Sequence, residues 1–242
     1  MRLDLYLVKQ QICETRNKAK ASILAQQIKV NDLIVDKPNY EVKADDQVSK
    51  TPNEEYVSRG AYKLLKALET WSINLTNKVI LDIGASTGGF SDVAVKQGAK
   101  RVYAVDVGSQ QLHHSLRKLN NVQVYEHMNF KDLTSAMFIQ QIDFVLADVS
   151  FISLTFLINK LEILLPYKHF GIFLIKPEFE LSASEIKKNR GLVTSPSLRK
   201  KAVDKIRNYA MEHQYKVLGL CESPIKGNKM GNTEYLIYLE RS

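Results

Sequence analysis

After residue 59, short apolar runs alternate regularly with longer amphipathic stretches, and this alternation restricts the fold more than any other feature of the sequence. The apolar runs have the composition of buried strands and are residues 79–83, 102–107, 122–125, 144–147, 171–175, 216–220 and 235–239. The helical stretches lie near residues 90–97, 109–118, 131–140, 153–165 and 197–213. Such alternation predicts a doubly wound, mostly parallel sheet with helices on both faces. Because only a loop separates the last two runs, the final strand is expected to be antiparallel.

The first 50 residues have a different texture. They contain no glycine and indicate two helices followed by a short β-hairpin, with Thr15 as the N-cap of the second helix and a turn at Asn31 and Asp32. The polar stretch that follows is typical of a linker. We therefore predict a small α+β domain of residues 1–50, a linker of residues 51–58 and a larger α/β domain of residues 59–242.

The charge balance of the chain is basic. The 34 lysines and arginines exceed the 26 aspartates and glutamates, which gives a formal net charge of +8 and a pI near 9.3. An excess of this size favours a polyanionic partner, and RNA, DNA and an anionic membrane surface are all compatible with it. The alternative is a net charge that serves only solubility.

Cysteine usage and hydropathy limit the class of protein and the kinds of partner that the sequence allows. Cys13 and Cys221 are the only cysteines and are far apart in the sequence, so neither a disulfide framework nor a metal-ligand cluster is expected. The start of the chain is polar and charged, unlike a secretory signal. The most apolar stretch, residues 151–165, contains Lys160 and Glu162, which predicts an amphipathic helix rather than a membrane span. We expect a cytoplasmic protein with no membrane partner and no bound metal.

The sharpest local feature is the segment LDIGASTGGF, residues 81–90, which lies where a predicted strand ends and a helix begins. Its glycines allow a tight turn and a close approach to a ligand. The pattern differs from the GxGxxG of dinucleotide-binding proteins, and Asp82 stands where it can bond the amino group of a methionine moiety. Asp106, at the end of the next strand, is placed to accept hydrogen bonds from ribose hydroxyls. These details favour S-adenosylmethionine (SAM) over NAD, and a glycine-rich turn that serves only packing is the alternative.

The predicted cofactor-binding residues surround this loop and the ends of the neighbouring strands. They are Asp82, Gly84, Ala85, Ser86, Gly88, Gly89, Phe90, Asp106, Val107, Asn129 and Asp148. Asn129 is expected near the adenine and Asp148 near the methyl group, although both residue types also form simple turns at strand ends.

Four charged residues lie at or near the ends of predicted elements on one expected rim of the sheet: Lys63, Asp148, Lys176 and Glu234. Methyl transfer to a ribose hydroxyl requires alignment of the acceptor and stabilisation of its oxygen as the proton leaves. A lysine flanked by carboxylates is suited to this task, either as an electrostatic partner or as a base. Each residue alone is also explained as an ordinary solvated charge, so the prediction depends on the four as a set.

Several stretches of the chain resemble one known family. In the larger domain they are YVSRGAYKL, LDIGASTGGFSD, AVDVGSQQL, DVSFISL, IKPEFE and SPIKGNKMGNTEYL. They occur in the order found in the TlyA-type proteins, often labelled hemolysin A, which are related to the FtsJ-like RNA 2′-O-methyltransferases. In the first segment, RLDLYLV, TRNKAKASI and KVNDLIVDKP resemble an S4 domain, a small RNA-binding fold.

The resemblance implies a class I SAM-dependent methyltransferase fold, which is a Rossmann-like seven-stranded α/β sheet with its last strand antiparallel, preceded by an S4 domain. It implies SAM as the cofactor and ribosomal RNA or ribosomal subunits as the substrate, methylated on the 2′-oxygen of cytidine. The implied catalytic tetrad is Lys63, Asp148, Lys176 and Glu234. The predicted RNA-binding residues are Arg2, Arg16, Lys18, Lys20 and Arg59, for which a solvated helix face is the alternative.

This chain departs from the family pattern at two places. KPEFE replaces the usual KPQFE and adds Glu178 near the predicted catalytic lysine, where an extra carboxylate would make the lysine a weaker base but leave it an electrostatic partner. DVGSQQL replaces DVGYGQL, which is expected to alter packing beside the cofactor. Two other functions remain alternatives: a membrane-active, hemolysin-like protein, and an RNA-binding protein whose methyltransferase domain is inactive.

Overall fold

The computed structural model describes residues 1–24, 27–50, 56–186, 191–227 and 231–241. The chain divides into two compact units, Met1–Glu55 and Tyr56–Ser242. Residues 51–55 of the predicted linker lie outside the described residues. The remaining predicted linker residues, 56–58, belong to the second unit. There the ring of Tyr56 is buried and the backbone N–H of Val57 donates to Asp92 Oδ2 at 2.7 Å.

Across its described residues, 1–24 and 27–50, the first unit contains two helices and a small antiparallel sheet. The helices are α1 (Leu3–Lys9) and α2 (Arg16–Leu24), and the strands are β1 (Ile28–Val30), β2 (Leu33–Ile34) and β3 (Val48–Lys50), in the order β2-β1-β3. Thr15 Oγ1 accepts from the Lys18 backbone N–H at 3.2 Å, as an N-cap does. Asn31 and Asp32 have φ values of 50° and 64°, so β1 and β2 are joined by a turn with both central residues left-handed, as a type I′ hairpin requires.

A buried carboxylate, Asp4, ties the start of α1 to α2 in the first unit. Its side chain has no exposed surface, and its oxygens accept from Arg2 Nε at 3.1 Å and Arg16 Nε at 2.9 Å. The hydrogen bond from Arg2 opposes and exceeds the effect of burial, and with Arg16 it lowers the pKa of Asp4 to about 2. The charged form of Asp4 therefore stabilises this unit.

We expect Asp4→Asn to lower the free energy of unfolding of the first unit by about 1–3 kcal/mol at pH 7, because the two guanidinium groups lose their buried partner. A pKa lower in the folded than in the unfolded chain gives stability that is present above about pH 4 and is lost as the pH falls towards 2. Amide hydrogen exchange of α1 in the full chain measures this, with the exposed Asp45 as the matched control in Asp45→Asn. Equal protection of α1 in wild type and Asp4→Asn at pH 7 would contradict it.

The second unit consists of a central sheet with helices on both faces. Its helices are α3 (Ala61–Thr70), α4 (Gly89–Lys96), α5 (His114–Arg117), α6 (Leu154–Leu164), α7 (Pro177–Glu180), α8 (Ala183–Ile186) and α9 (Pro196–Glu212). Its strands are β4 (Val79–Ile83), β5 (Arg101–Val105), β6 (Val122–Tyr125), β7 (Phe144–Ala147), β8 (His169–Ile175), β9 (Tyr215–Glu222) and β10 (Tyr235–Arg241).

Among the described residues the sheet has seven strands, in the order β6-β5-β4-β7-β8-β10-β9. Strands β4 to β8 pair in parallel, and β10 lies between β8 and β9 and is antiparallel to both. The predicted fold class is therefore confirmed, including the antiparallel last strand. The strand order reverses between β4 and β7, and in open sheets of this kind ligands bind outside the carboxyl ends of the strands at such a point.

Each face of this sheet buries its own apolar cluster. Alternate strand residues such as Leu81 and Val145 pack with α6 and α9 on one side. Their neighbours Ile80 and Leu146 pack with α3 and α4 on the other side. Burial on both faces explains why the strands are continuous apolar runs rather than alternating ones.

One predicted helix is much shorter than expected, and another does not form as an α-helix. Within 109–118 only α5 is helical, because the Glu126 carboxylate accepts from the backbone N–H groups of Gln110 and Gln111, each at 2.9 Å, and holds them in a loop. Within 131–140 the chain forms only short 3₁₀ turns, Phe130–Asp132 and Ser135–Met137. There the hydroxyl groups of two tyrosines in the sheet form hydrogen bonds with the Ile139 backbone N–H and the Met137 carbonyl oxygen. These bonds take the place of those that a helix would make.

Candidate active site

The glycine loop after β4 makes a close approach to the strand end of β7. The backbone N–H groups of Gly84 and Ala85 both donate to Val105 O, at 2.9 and 3.1 Å. Gly84 has φ of +81°, and a Cβ there would lie 2.7 Å from the Asp148 carbonyl oxygen. Gly88 has φ of +96° and precedes α4. Glycine is therefore required at the first position both by the backbone conformation and by the contact.

Asp106 follows β5 and organises the same loop. Its Oδ2 accepts from the Ser86 backbone N–H at 2.8 Å and its Oδ1 from that of Gly108 at 2.7 Å. Each carboxylate oxygen keeps a further lone pair, which leaves Asp106 able to accept from ribose hydroxyls. Val107, the next residue, is exposed.

Three other predicted cofactor residues make contacts that contribute to packing or to a turn. Phe90 and Ala85 are buried in the apolar cluster beneath α4. Asn129 is exposed, and its side-chain oxygen accepts from the Lys131 backbone N–H at 3.1 Å, so it caps a 3₁₀ turn. This is the turn-forming role that the sequence left open for Asn129, although its amide nitrogen is not used in that bond.

Asp82, the last residue but one of β4, is almost fully buried. Its Oδ2 accepts from Ser91 Oγ at 2.6 Å, but no described residue bonds its Oδ1. Burial, opposed in part by Ser91 and reinforced by the charge of Asp148, raises the pKa of Asp82 to about 7. A buried acceptor without a partner is costly, and a cationic group of a ligand would satisfy it.

The structure brings the four predicted catalytic residues together as a chain of alternating charges. Lys63 Nζ lies 2.8 Å from Glu234 Oε2 and 3.1 Å from Asp148 Oδ2. Lys176 Nζ lies 2.5 Å from Asp148 Oδ1. Lys63 is in the first turn of α3, while the others lie beside the ends of β7, β8 and β10. Asp148 thus bridges the two lysines.

Burial makes these charge interactions strong. Both lysines are 9% exposed and Glu234 is 2% exposed. Burial raises the pKa of Asp148, but the charges of Lys176 and Lys63 exceed that effect and leave it below its ordinary value. Burial lowers the pKa of Lys63, and the charges of Asp148 and Glu234 reverse this and raise it. For Glu234 burial exceeds the effect of Lys63, so its pKa is raised.

Sequence reasoning missed two residues of this site. Ser150 Oγ accepts from Lys176 Nζ at 2.8 Å, so the serine and Asp148 together orient the ammonium group. A Cβ at Gly227 would lie 2.9 Å from Glu234 Oε1, so this glycine allows the backbone to approach the carboxylate. Ser150 stands two residues after Asp148 in the DVS motif, but its contact with Lys176 spans 26 positions and has no local sequence signal.

Glu178 forms no ion pair with Lys176 within the described ranges, and its Oε2 is buried without a hydrogen-bond partner there. The expected effect of Glu178 on Lys176 is therefore not supported by a direct contact between them. No group of three or more His, Cys, Asp or Glu side chains in the described part of the chain is arranged to hold a metal ion. Among the described helices, none is long and apolar enough to cross a membrane.

The predicted RNA-binding residues lie in both units. Arg2 and Arg16 are half-exposed around Asp4. Lys18 pairs with Glu14 one turn earlier in the chain, and Lys20 is half-buried. Arg59 is exposed in the second unit, just before α3.

Comparisons with known proteins agree with this architecture. The model of the FtsJ-like methyltransferase family matches residues 56–241, and that of the S4 domain matches residues 1–48. Hemolysin A of Brachyspira hyodysenteriae is 40% identical over 98% of this chain and 99% of its own length. The 16S/23S rRNA (cytidine-2′-O)-methyltransferase TlyA of Mycobacterium tuberculosis H37Rv is 35% identical over 98% of this chain and 89% of its own.

A solved structure of a hemolysin candidate from Streptococcus thermophilus superposes with a TM-score of 0.78 at 36% identity, covering 100% of this chain and 88% of that one. The family, the sheet topology and the loop after β4 point to one cofactor. The chain belongs to the FtsJ-like methyltransferase family, carries an S4 domain and uses SAM as its cofactor.

Proposed function

We propose that this enzyme transfers a methyl group from SAM to the 2′-oxygen of a cytidine in ribosomal RNA. The observation that carries the proposal is the largely buried chain of Glu234, Lys63, Asp148 and Lys176 beside the strand ends. The relatives support the substrate, since TlyA of M. tuberculosis is named for cytidine-2′-O methylation of 16S and 23S rRNA. The predicted cytoplasmic location belongs to this proposal, because ribosomal subunits are the substrate.

The residues around the glycine loop fit SAM. Asp82 would hold the ammonium group of the methionine moiety, which supplies the missing partner of its Oδ1. Asp106 would accept from the ribose hydroxyls, and Gly84 leaves room beside Asp148. When bound, SAM supplies a methyl group on an already activated sulfonium.

The four charged residues then act on the acceptor. Lys176 stabilises the negative charge that develops on the acceptor oxygen as its proton passes to solvent. Asp148 and Ser150 orient the Lys176 ammonium, at 2.5 and 2.8 Å. Lys63, held by Glu234, adds its positive charge to the larger effect of Lys176, and together they keep Asp148 ionised. Lys63 and Glu234 thus support the pair formed by Asp148 and Lys176.

The first unit is proposed to bind the RNA. Its four predicted contact residues are Arg2, Arg16, Lys18 and Lys20, with Arg59 added from the second unit. Asp4 orients two of these arginines, whose side chains are 41% and 49% exposed. A guanidinium held in one orientation loses less entropy when it binds a phosphate. The proposed domains are residues 1–50 and 59–242, and of residues 51–58 between them, 56–58 are already part of the second compact unit.

SAM affinity is expected to depend on pH through Asp82. The pKa of this carboxyl is about 7 in the free enzyme, and a bound ammonium group requires the ionised form. Binding at pH 6 must therefore first remove a proton, and we expect the Kd for SAM to be about tenfold higher at pH 6 than at pH 8. Titration calorimetry at the two pH values measures this, and Asp82→Asn should bind more weakly with no such dependence. A constant wild-type Kd would contradict the role given to Asp82.

The proposed function is tested with labelled SAM and ribosomal subunits that lack the modification. After digestion of the RNA to nucleosides, we expect the label in 2′-O-methylcytidine. Label in another 2′-O-methyl nucleoside would overturn the cytidine assignment alone. RNA binding without SAM binding would favour the inactive-methyltransferase alternative, and leakage of liposomes by a variant that transfers no methyl group would favour the membrane-active one.

A further inference from the structure

A buried carboxylate outside the four charged residues connects two segments of the site. Glu180, the last residue of α7, is 5% exposed. Its Oε1 accepts from the Leu154 backbone N–H at 2.8 Å, and its Oε2 accepts from Ser153 Oγ at 2.5 Å. Lys205 of α9 lies 3.2 Å from Oε2 and neutralises the buried charge. Glu180 therefore caps the start of α6 from a different helix.

The hydrogen bond between Glu180 and the start of α6 closes a ring of contacts that includes the pair Asp148 and Lys176. Asp148 and Leu154 are the two ends of one segment, and Lys176 and Glu180 are the two ends of the other. The ion pair between Lys176 and Asp148, at 2.5 Å, joins the segments at one end. The bond from Leu154 N–H to Glu180, at 2.8 Å, joins them at the other. The path of residues 148–154 is thus fixed at both ends by residues of 176–180.

The segment inside the ring has a conformation that needs such support. Phe151 has φ of +65°, in the left-handed region that a bulky side chain rarely adopts. Conformations of this kind are unfavourable and persist only where the surrounding structure imposes them. Ser150, the residue before it, is the one that bonds Lys176. Releasing the start of α6 would let this turn relax and move Ser150 away from Lys176.

We propose that Glu180 is a positioning residue for methyl transfer: it fixes the start of α6 and so holds Asp148 and Ser150 on Lys176. The inference rests on the proposed function, because it concerns the same site. A residue that only stabilised α6 would change the unfolding temperature and leave the rate of the folded enzyme unchanged. A positioning residue changes kcat while SAM binding, which uses the ends of β4 and β5, is preserved.

The test compares Glu180→Ala and Glu180→Gln with wild type, using labelled SAM and ribosomal subunits. We expect Glu180→Ala to lower kcat at least about tenfold, since small displacements of reacting groups cost that much or more, with the Kd for SAM within about twofold of wild type. Glu180→Gln should recover kcat to within about threefold, because its side-chain oxygen still accepts from Leu154 N–H. Glu185→Ala is the matched control, since Glu185 pairs with Lys201 outside the ring and its loss should leave kcat unchanged.

Amide hydrogen exchange of residues 149–154 provides a readout that does not need activity. We expect faster exchange there in Glu180→Ala than in wild type or Glu185→Ala. If Glu180→Ala does not fold, Glu180→Asp replaces it, since the shorter side chain keeps the charge but no longer reaches Leu154 N–H, and the same losses are expected.

Wild-type kcat in the alanine or aspartate variant, or unchanged exchange of residues 149–154, would overturn the inference. If the wild-type enzyme transfers no methyl group to ribosomal RNA, the proposed function fails instead, and the exchange measurement still decides whether Glu180 holds the segment.

Discussion

Lys176→Met is expected to lower kcat for methyl transfer at least about 1,000-fold, because the acceptor oxygen loses the positive charge that stabilises it. Methionine keeps the length of the side chain and removes only the ammonium group. The substitution leaves Asp148 and Glu234 to share the positive charge of Lys63, so the cluster gains one negative charge in excess. SAM affinity should stay within about threefold of wild type, because Lys176 is not among the residues expected to hold SAM. Single-turnover transfer of labelled methyl at saturating SAM measures the effect.

Lys168→Met is the matched control for this variant. Lys168 precedes β8 and Lys176 follows it, so the two lysines flank opposite ends of one strand. Lys168 is exposed and pairs with Glu240 at 2.7 Å. A surface pair of this kind contributes little, and its loss should leave kcat unchanged. If the two methionine variants had equal rates, the role given to Lys176 would be wrong.

Gly84→Ala is expected to destabilise the second unit by about 2–5 kcal/mol and to abolish most methyl transfer. Alanine at φ of +81° is strained, and its Cβ would lie 2.7 Å from the Asp148 carbonyl oxygen. The contact is with backbone, so it is relieved only by moving the Asp148 segment away from β4. This displacement would separate Asp148 from the lysines, and the added methyl group would itself occupy space beside the cofactor loop.

Gly98→Ala tests the backbone strain of a positive φ without the close contact that Gly84→Ala would make. Gly98 has nearly the same φ, +79°, but a Cβ there would meet only Thr76 atoms at 3.6 Å or more. We expect a cost of about 1 kcal/mol and full activity, because only the left-handed conformation is penalised. Thermal unfolding and the transfer assay on both variants compare the two effects. Equal losses for Gly84→Ala and Gly98→Ala would show that close approach to Asp148 does not matter.

The sheet was predictable because its strands are buried on both faces. Runs such as 79–83 and 144–147 are apolar at every position except Asp82, which makes them stand out from the helices between them. The antiparallel last strand followed from the short connection before β10. The glycine loop was also visible, because Gly84 lies directly after a strand and its backbone conformation admits few other residues.

Contacts between distant side chains were not predictable from the sequence. The helix expected at 109–118 is replaced by a loop because Glu126, on another segment, bonds its backbone N–H groups. Ser150 and Glu180 carry no periodic or spacing signal, and they matter only because the sheet places the end of β7 beside the end of β8. The four charged residues were predicted from their positions at the ends of elements and from the family resemblance. Their arrangement as alternating charges around Asp148 is visible only in the structure.

The central claim, transfer to a ribose oxygen, is tested most directly by alkaline digestion of ribosomal RNA that this enzyme has labelled. A 2′-O-methyl group blocks alkaline cleavage of the adjacent linkage, so we predict that the label appears in alkali-stable dinucleotides. A methyl group on a base leaves the 2′-hydroxyl free, and the label would then appear in mononucleotides. That result would contradict the role of the four charged residues in activating a ribose hydroxyl, while leaving the SAM site intact.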